Sequence, residues 1–202
     1  DRFNIIRFSS ETDQLFKGLR DASPFNLISA RNTLEKTDAN GGTKMAPALK
    51  LALSDKGREG RLKQIVFLTD GAVGNEEELL GIIRGMLGAD RLFTIGIGSA
   101  PNSYFMRQAA RVGRGSFTYI GEQSEIAERM TALFEKLEHP AMIDLRAATY
   151  DSFGVARQKV EIYPEILPDL YQSEPMMIAV KLPTITGLEI SGSLLLTGVI
   201  ND

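Results

Sequence analysis

The sequence has no cysteine, no tryptophan and a single histidine among its 202 residues. The absence of cysteine excludes disulfides, thiolate metal ligands and a cysteine nucleophile. The one histidine, His139, stands beside a proline and gives no basis for a Ser-His-Asp arrangement. No apolar run approaches the roughly 18 residues that a membrane span needs, and a formal net charge of −3 does not indicate nucleic-acid binding. We therefore predict no membrane span in this chain and no nucleic-acid partner.

The apolar residues that are present suffice for a sizeable core, since 43% of the chain is hydrophobic and 24% is charged. Over residues 1–138, strand patterns alternate with helix patterns. This alternation predicts an α/β fold with a doubly wound, mostly parallel sheet and helices on both faces. The predicted strands are 3–9, 64–69, 91–97 and 116–120, and the predicted helices are 23–36, 45–53, 75–87, 103–112 and 124–138. The first helix has an apolar stripe formed by Phe25, Leu27, Ile28 and Leu34.

The pattern changes after the His139-Pro140 pair. No helical stripe follows it, and four of the eight prolines lie between Pro164 and Pro183. Strand patterns cover 143–150, 159–162, 176–182 and 188–200. We therefore predict an α/β domain over residues 1–138, and a small β-rich domain, or part of one, over residues 141–202.

A carboxylate follows the strand predicted at 64–69, whose apolar run indicates burial on both faces. Asp70 and Gly71 end this strand. An Asp at the carboxyl end of a buried parallel strand lies where open α/β sheets bind their ligands. The alternative is that Asp70 begins a turn or caps the next helix, as strand-ending Asp-Gly pairs often do.

A glycine pair, Gly41-Gly42, places Thr43 in front of the second predicted helix. Two glycines let the backbone turn tightly and bring a hydroxyl group to a site. The Thr43 hydroxyl and the Asp70 carboxylate are oxygen ligands of the kind that Mg²⁺, Mn²⁺ and Ca²⁺ prefer. The alternative is that the glycine pair ends one helix and Thr43 caps the next.

The order FNIIRFS, GGT, IVFLTDG and LFTIGIG resembles that of a von Willebrand factor type A domain, over residues 1–138. The resemblance is closest to proteins related to inter-alpha-trypsin inhibitor heavy chains, including bacterial ones. Both DRFNIIRFSS and the YPEILPDLYQSEPMMIAVKL stretch at 163–182 are similar to segments of that group. The resemblance implies a metal ion-dependent adhesion site, in which one loop supplies Asp-x-Ser-x-Ser, a second a Thr and a third an Asp. Thr43 matches the second loop and Asp70 the third.

The function that the resemblance implies is a non-enzymatic protein-binding or adhesion module. In the intact parent, a divalent ion held partly by Thr43 and Asp70 accepts a carboxylate oxygen from a protein ligand. Asp-x-Ser-x-Ser is absent from this chain, and two protein oxygens are too few to bind Mg²⁺ tightly. We therefore expect weak or absent metal binding by this chain alone.

The resemblance begins after the family's first strand, which is central in its sheet. Two strand edges would then lack partners, and unpaired edges tend to pair with another strand. We expect that strand to come from a longer parent, from the β-rich segment or from a second copy, by strand exchange in a homo-oligomer.

Two rival functions stay open at this stage. One is a Mg²⁺-dependent hydrolase or phosphotransferase in which Asp70 positions the metal or acts as the nucleophile. Such enzymes usually add a lysine, a second carboxylate or a phosphate loop, and Gly96-Ile97-Gly98-Ser99 lacks the spacing of a nucleotide-binding loop. We therefore predict that the protein is not an enzyme. The other rival is a structural scaffold without a working metal site. The resemblance implies an extracellular or cell-envelope location, but many A domains are intracellular, so the compartment stays open.

Overall fold

A computed structural model describes residues 1–37, 41–55, 61–71, 74–99, 101–156, 161–171, 175–181 and 192–200. The chain forms two compact units, Asp1–Gln123 and Ser124–Asp202. The boundaries predicted at 138 and 141 stay a prediction. Positions 159–160, 182 and 188–191 of the predicted strands lie outside the described residues.

The first unit is built around a three-stranded parallel sheet. Its elements in chain order are β1 (Arg2–Phe3), β2 (Ile6–Phe8), β3 (Thr12–Gln14), β4 (Arg20–Asp21), α1 (Pro24–Glu35), α2 (Met45–Ser54), β5 (Gln64–Thr69), α3 (Glu76–Met86), β6 (Arg91–Ile97), α4 (Ser103–Val112) and β7 (Arg114–Ile120). The strand order is β5-β6-β7, with all pairs parallel. Residues 91–96 of β6 are all buried, as expected of a central strand in a parallel sheet.

The core of this unit lies where α2, α3 and α4 pack on one face of the sheet. The buried residues Leu79 and Ile83 of α3 and its C-cap Leu87 recur every four positions, which is the spacing of one helix face. The acidic first turn of this helix also suits the positive end of the helix dipole. The buried cluster consists of Met45, Leu49, Leu53, Phe67, Leu79, Ile83, Leu87, Leu92, Phe105, Met106 and Ala109.

A lysine joins the start of β5 to the residue before β6 and to the end of α2. The Lys63 Nζ atom lies 2.8 Å from Asp90 Oδ2 and donates to the Ala52 carbonyl oxygen at 2.8 Å. It also donates to the Asp55 carbonyl oxygen. A cation in this position suits the negative end of the α2 dipole.

The strand predicted at 3–9 is wrong as a single element, because it is divided into β1 and β2. The Asn4 side chain interrupts it: its Oδ1 atom accepts from the Ile5 and Phe16 amides at 2.9 and 3.1 Å, and its Nδ2 atom donates to the Phe16 carbonyl oxygen at 3.0 Å. Strands β2 and β3 form an antiparallel N-terminal hairpin, and β1 pairs with β4. In the described residues, neither two-stranded sheet joins the β5-β6-β7 sheet. The predicted need for a further strand therefore stays a prediction.

Helix α1 begins as predicted, because Ser23 is its N-cap and the Ser23 Oγ atom accepts from the Asn26 amide at 3.3 Å. Its apolar stripe is a wrong prediction. Phe25, Leu27, Ile28 and Leu34 are all exposed, and Ala30 is the buried residue of this helix. At about 100° per residue, the 25/28 pair and the 27/34 pair face opposite sides of the helix, so they do not form one stripe.

The second unit combines one helix with short antiparallel sheets, as the pattern after residue 140 indicates. It contains α5 (Ile126–Glu138), β8 (Pro140–Asp151), β9 (Glu161–Tyr163), β10 (Leu170–Tyr171), β11 (Ala179–Lys181) and β12 (Gly192–Val199). Strand β8 lies between β10 and β12, and β9 pairs with β11. Strand β10 is not among the strands that the sequence pattern predicts. Among the helices described in both units, none has the length and apolar content needed to cross a membrane.

Candidate metal centre

The carboxyl edge of the β5-β6-β7 sheet carries the predicted site. Because the strands are parallel, the residues that follow β5 and β6 lie on the same edge, and α3 and α4 begin from it. Asp70 and Gly71 follow β5, and Gly98 follows β6 with a φ of +80°. Asp70 is exposed, so its carboxylate is accessible to a ligand.

Thr43 reaches this edge from the loop in front of α2. A Cβ atom added to Gly71 would lie 2.8 Å from Thr43 Oγ1 and 3.1 Å from Thr43 Cγ2. Real Cβ atoms essentially never approach another heavy atom within 3.0 Å. Thr43 is therefore packed directly against the residue that follows Asp70, and only glycine fits at position 71 without a shift. Thr43 thus lies against the immediate neighbour of Asp70.

The capping roles proposed as alternatives for the glycine pair and for Thr43 do not apply. Helix α1 ends at Glu35 with Lys36 as its C-cap, several residues before Gly41. Helix α2 has Lys44 as its N-cap, without a side-chain hydrogen bond, so Thr43 does not cap it.

Asp70 does not cap the next helix, whereas its place in the turn after β5 remains an alternative. Helix α3 has Asn75 as its N-cap. The turn after β5 is held by Thr69, whose Oγ1 atom accepts from the Gly71 amide at 3.1 Å. Within the described part of the chain, neither the Thr43 side chain nor the Asp70 carboxylate makes a hydrogen bond or an ion pair. Both groups thus keep their oxygen atoms available.

Two serines that the sequence analysis passed over hold the Thr43 loop. Ser10 Oγ accepts from the Gly42 amide at 2.9 Å, and the Ser9 carbonyl oxygen accepts from the Lys44 amide at 2.9 Å. The available sequence signal was a pair of hydroxyl residues directly after the FNIIRF run. That signal gives no partner, because the contact joins loops that are distant in the sequence.

Acidic residues at the start of α3 add negative charge to the same edge. They line an open depression of about 410 Å³, formed by Gly74, Asn75, Glu76, Glu77 and Glu78. Asn75 Nδ2 donates to Glu78 Oε2 at 2.8 Å. Asn102 Nδ2 donates to Glu76 Oε1, and Asn102 Oδ1 accepts from the Phe105 amide at 3.0 Å. Asn102 therefore links the first turns of α3 and α4.

The Thr43 hydroxyl and the Asp70 carboxylate are the types of ligand that a hard divalent cation prefers, but two ligands are fewer than such a cation needs. A hydroxyl and a carboxylate oxygen are suitable ligands for Mg²⁺ or Ca²⁺, which take six or more oxygens. Thr43 Oγ1 occupies the space that a Cβ atom on Gly71 would need, so Gly71 allows the Thr43 loop to reach this edge. Among the residues that the structure describes, no group of three or more His, Cys, Asp or Glu side chains is placed to hold a metal ion. Thr43 and Asp70 alone would give a divalent ion too few protein ligands, so their role as metal ligands stays a prediction.

The elements described above define an α/β domain with exposed polar residues at the carboxyl edge of a parallel sheet. Residues 1–119 match the family described as "von Willebrand factor type A domain". The chain belongs to that family.

Relatives support the same assignment. The chain is 26% identical over 178 residues to a von Willebrand factor A domain-containing protein of Dictyostelium discoideum, covering 88% of this chain and 19% of that protein. It is 31% identical over 163 residues to human inter-alpha-trypsin inhibitor heavy chain H6, covering 72% of this chain and 12% of that protein. The chain thus spans about a fifth or less of the length of these relatives.

Two solved structures share the fold. A von Willebrand factor type A structure from Catenulispora acidiphila superposes with a TM-score of 0.66 at 19% identity, covering 84% of this chain and 41% of that one. Proximal thread matrix protein 1 from the mussel byssus, solved with a zinc-occupied MIDAS motif, superposes with a TM-score of 0.50 at 23% identity, covering 66% and 34%. At these identities the likeness is one of fold.

Proposed function

We propose that this domain is a non-enzymatic protein-binding module and that the carboxyl edge of its sheet is the binding surface. The observation that supports the proposal is the packing of Thr43 against Gly71, the residue next to Asp70, together with the solvent exposure of both Thr43 and Asp70. Neither group has a capping role. The carboxyl ends of parallel strands are where open α/β sheets bind their ligands, and Asp70 lies at such an end.

In this proposal Thr43 and Asp70 supply two ligands of a divalent ion, with Mg²⁺, Mn²⁺ or Ca²⁺ as the candidates, and the remaining ligands come from outside residues 1–202. Bound there, the ion offers an open coordination position to a carboxylate oxygen of a protein ligand. The Asp70 carboxylate contributes negative charge, and the Thr43 hydroxyl contributes a neutral oxygen. The zinc in the mussel protein's site makes Zn²⁺ a further ion to test. Homo-oligomerisation or strand exchange through unpaired sheet edges stays a prediction.

Titration calorimetry tests the proposal directly. Mg²⁺, Mn²⁺ and Zn²⁺ are titrated into this chain and into a version extended upstream by about 40 residues, enough for one strand, one helix and their loops. We expect binding by the extended version alone, and loss of that binding in Asp70→Ala. The matched control is Asp21→Ala, which removes an exposed carboxylate on β4 that faces Arg2 at 3.6 Å.

Other results of these measurements would favour the scaffold or the hydrolase instead. If neither version binds a metal, the proposed centre is wrong and the domain is a scaffold. If Asp70→Ala binds as well as the unmodified protein, the ligands are elsewhere. Turnover of a generic phosphate ester that Asp70→Ala abolishes would favour the hydrolase.

A further inference from the structure

Two loops meet at the candidate metal centre. The first, here called the serine loop, is Ser9–Glu11 and follows β2. The second, the threonine loop, is Gly41–Lys44 and precedes α2. Ser10 Oγ accepts from the Gly42 amide, and the Ser9 carbonyl oxygen accepts from the Lys44 amide, both at 2.9 Å. The two bonded amides belong to the residues on either side of Thr43. The serine loop therefore fixes the backbone before and after the candidate ligand.

The approach of the two loops is close enough to require glycine. Gly41 has a φ of +100°, a conformation that residues with side chains rarely adopt. A Cβ atom at Gly41 would lie 2.9 Å from Ser10 Oγ and 3.4 Å from the Ser10 amide nitrogen. The path of the threonine loop thus depends on direct contact with Ser10.

Because the hydrogen bond from the Gly42 amide to Ser10 Oγ is exposed to solvent, its loss should affect the position of the loop more than the stability of the fold. Ser10 and Gly42 are both exposed, so water can replace the hydroxyl as the partner of the Gly42 amide. Removing the hydroxyl therefore leaves no buried unsatisfied donor, which is the costly case. What is lost is a fixed partner for the loop, and with it the exact placement of Thr43 against Gly71.

We propose that Ser10 is a positioning residue of the candidate metal centre, acting on Thr43 through the Gly42 amide. This inference rests on the proposed function, because it concerns the same metal. Residues that orient a metal ligand typically contribute about 10- to 100-fold to metal affinity. Ser10 thus belongs to the site although it need not touch the ion.

The test uses the upstream-extended protein and compares three variants by metal titration. We expect Ser10→Ala to weaken Mg²⁺ or Mn²⁺ binding by about 10-fold or more, and Ser10→Thr to restore it by retaining the hydroxyl. The matched control is Ser54→Ala, which removes an exposed serine hydroxyl bonded to the Leu51 carbonyl oxygen at the same 2.9 Å. It should leave the affinity unchanged.

A second measurement needs no metal. Hydrogen exchange of the Gly42 amide should be faster in Ser10→Ala than in the unmodified protein or in Ser54→Ala, since the bond that protects it is gone. Unchanged exchange in Ser10→Ala would overturn the inference.

The failures of the two proposals are distinguishable. If the unmodified extended protein binds no metal, the proposed function fails and the role of Ser10 fails with it. If that protein binds metal and Ser10→Ala binds equally well, only the inference fails. Equal losses in Ser10→Ala and Ser54→Ala would reduce Ser10 to a general structural role and would also overturn it.

Discussion

Replacing Gly71 by alanine tests whether the Thr43 loop and the Asp70 turn are in contact. The added Cβ would meet Thr43 Oγ1 at 2.8 Å, Cγ2 at 3.1 Å and Cβ at 3.4 Å. Gly71 has no positive φ, so alanine is compatible with its backbone and the effect is one of space. Thr43→Ala removes the two closest atoms and leaves only an ordinary contact.

Two opposing contributions determine how much Gly71→Ala changes the free energy of unfolding. Overpacking costs about 1–3 kcal/mol. Replacing glycine by alanine also restricts the unfolded chain, which stabilises the protein by about 0.4–1 kcal/mol. Gly71→Ala alone should therefore lower the free energy of unfolding by about 1–2 kcal/mol. In the Thr43→Ala background the same change should be neutral or stabilising, so the coupling between the two positions should be about 1–3 kcal/mol.

Urea unfolding of the four proteins of this cycle measures the coupling. Far-ultraviolet circular dichroism is the suitable signal, because the chain has no tryptophan. Gly74→Ala is the matched control, since an added Cβ there meets nothing within 4 Å. Additivity of Gly71→Ala and Thr43→Ala to within about 0.5 kcal/mol, as for independent sites, would refute the contact on which the candidate centre rests.

Two further predictions concern stability away from this edge. Lys63→Met should lower the free energy of unfolding by about 3 kcal/mol, because it leaves the largely buried Asp90 carboxylate without its cation. Urea unfolding measures this change. The double variant Lys63→Met with Asp90→Asn should lose less stability than the sum of the two single changes. In the second unit, the hydrogen bond from Tyr163 and then the neighbouring Lys181 lower the pKa of Glu161 from its ordinary value of 4.5. A lowered folded-state pKa stabilises the protein above the unfolded-state pKa, and this contribution is lost as the pH falls through the folded-state pKa. The stability difference between the unmodified protein and Glu161→Gln should therefore be present at neutral pH and vanish in acid; a difference that is independent of pH would contradict the assignment.

The sequence was sufficient where a structural signal is local. Residues 64–69 and 91–97 form strands with the predicted bounds, because an apolar run bounded by polar residues defines a buried strand. Helix α4 also has its predicted bounds. The position of Asp70 at the carboxyl edge of the sheet followed from topology alone, since loops at the carboxyl ends of parallel strands share one edge.

The sequence was insufficient where a single side chain replaces regular backbone pairing. Asn4 divides the first predicted strand by hydrogen bonding to Phe16, and Ser10 holds the Gly42 amide. Asparagine and serine have many possible partners, and their local sequence does not identify which distant amide they bind. The helix-capping alternative for Thr43 failed for the same reason, because the contact with Gly71 is not encoded near position 43.

The arrangement of the parallel sheet has a consequence for how the first unit folds. Strands β5, β6 and β7 and the two helices between them form one uninterrupted stretch of chain, so most of their contacts join segments that are near in sequence. The N-terminal hairpin stacks the Phe8 ring on the Phe67 ring, with the ring centroids 5.3 Å apart. This contact forms only after a long loop has closed. Closing long loops costs entropy before contacts compensate for it. We therefore expect residues 64–120 to provide the folding nucleus, with β2 docking late and the Thr43 loop reaching Gly71 among the last steps.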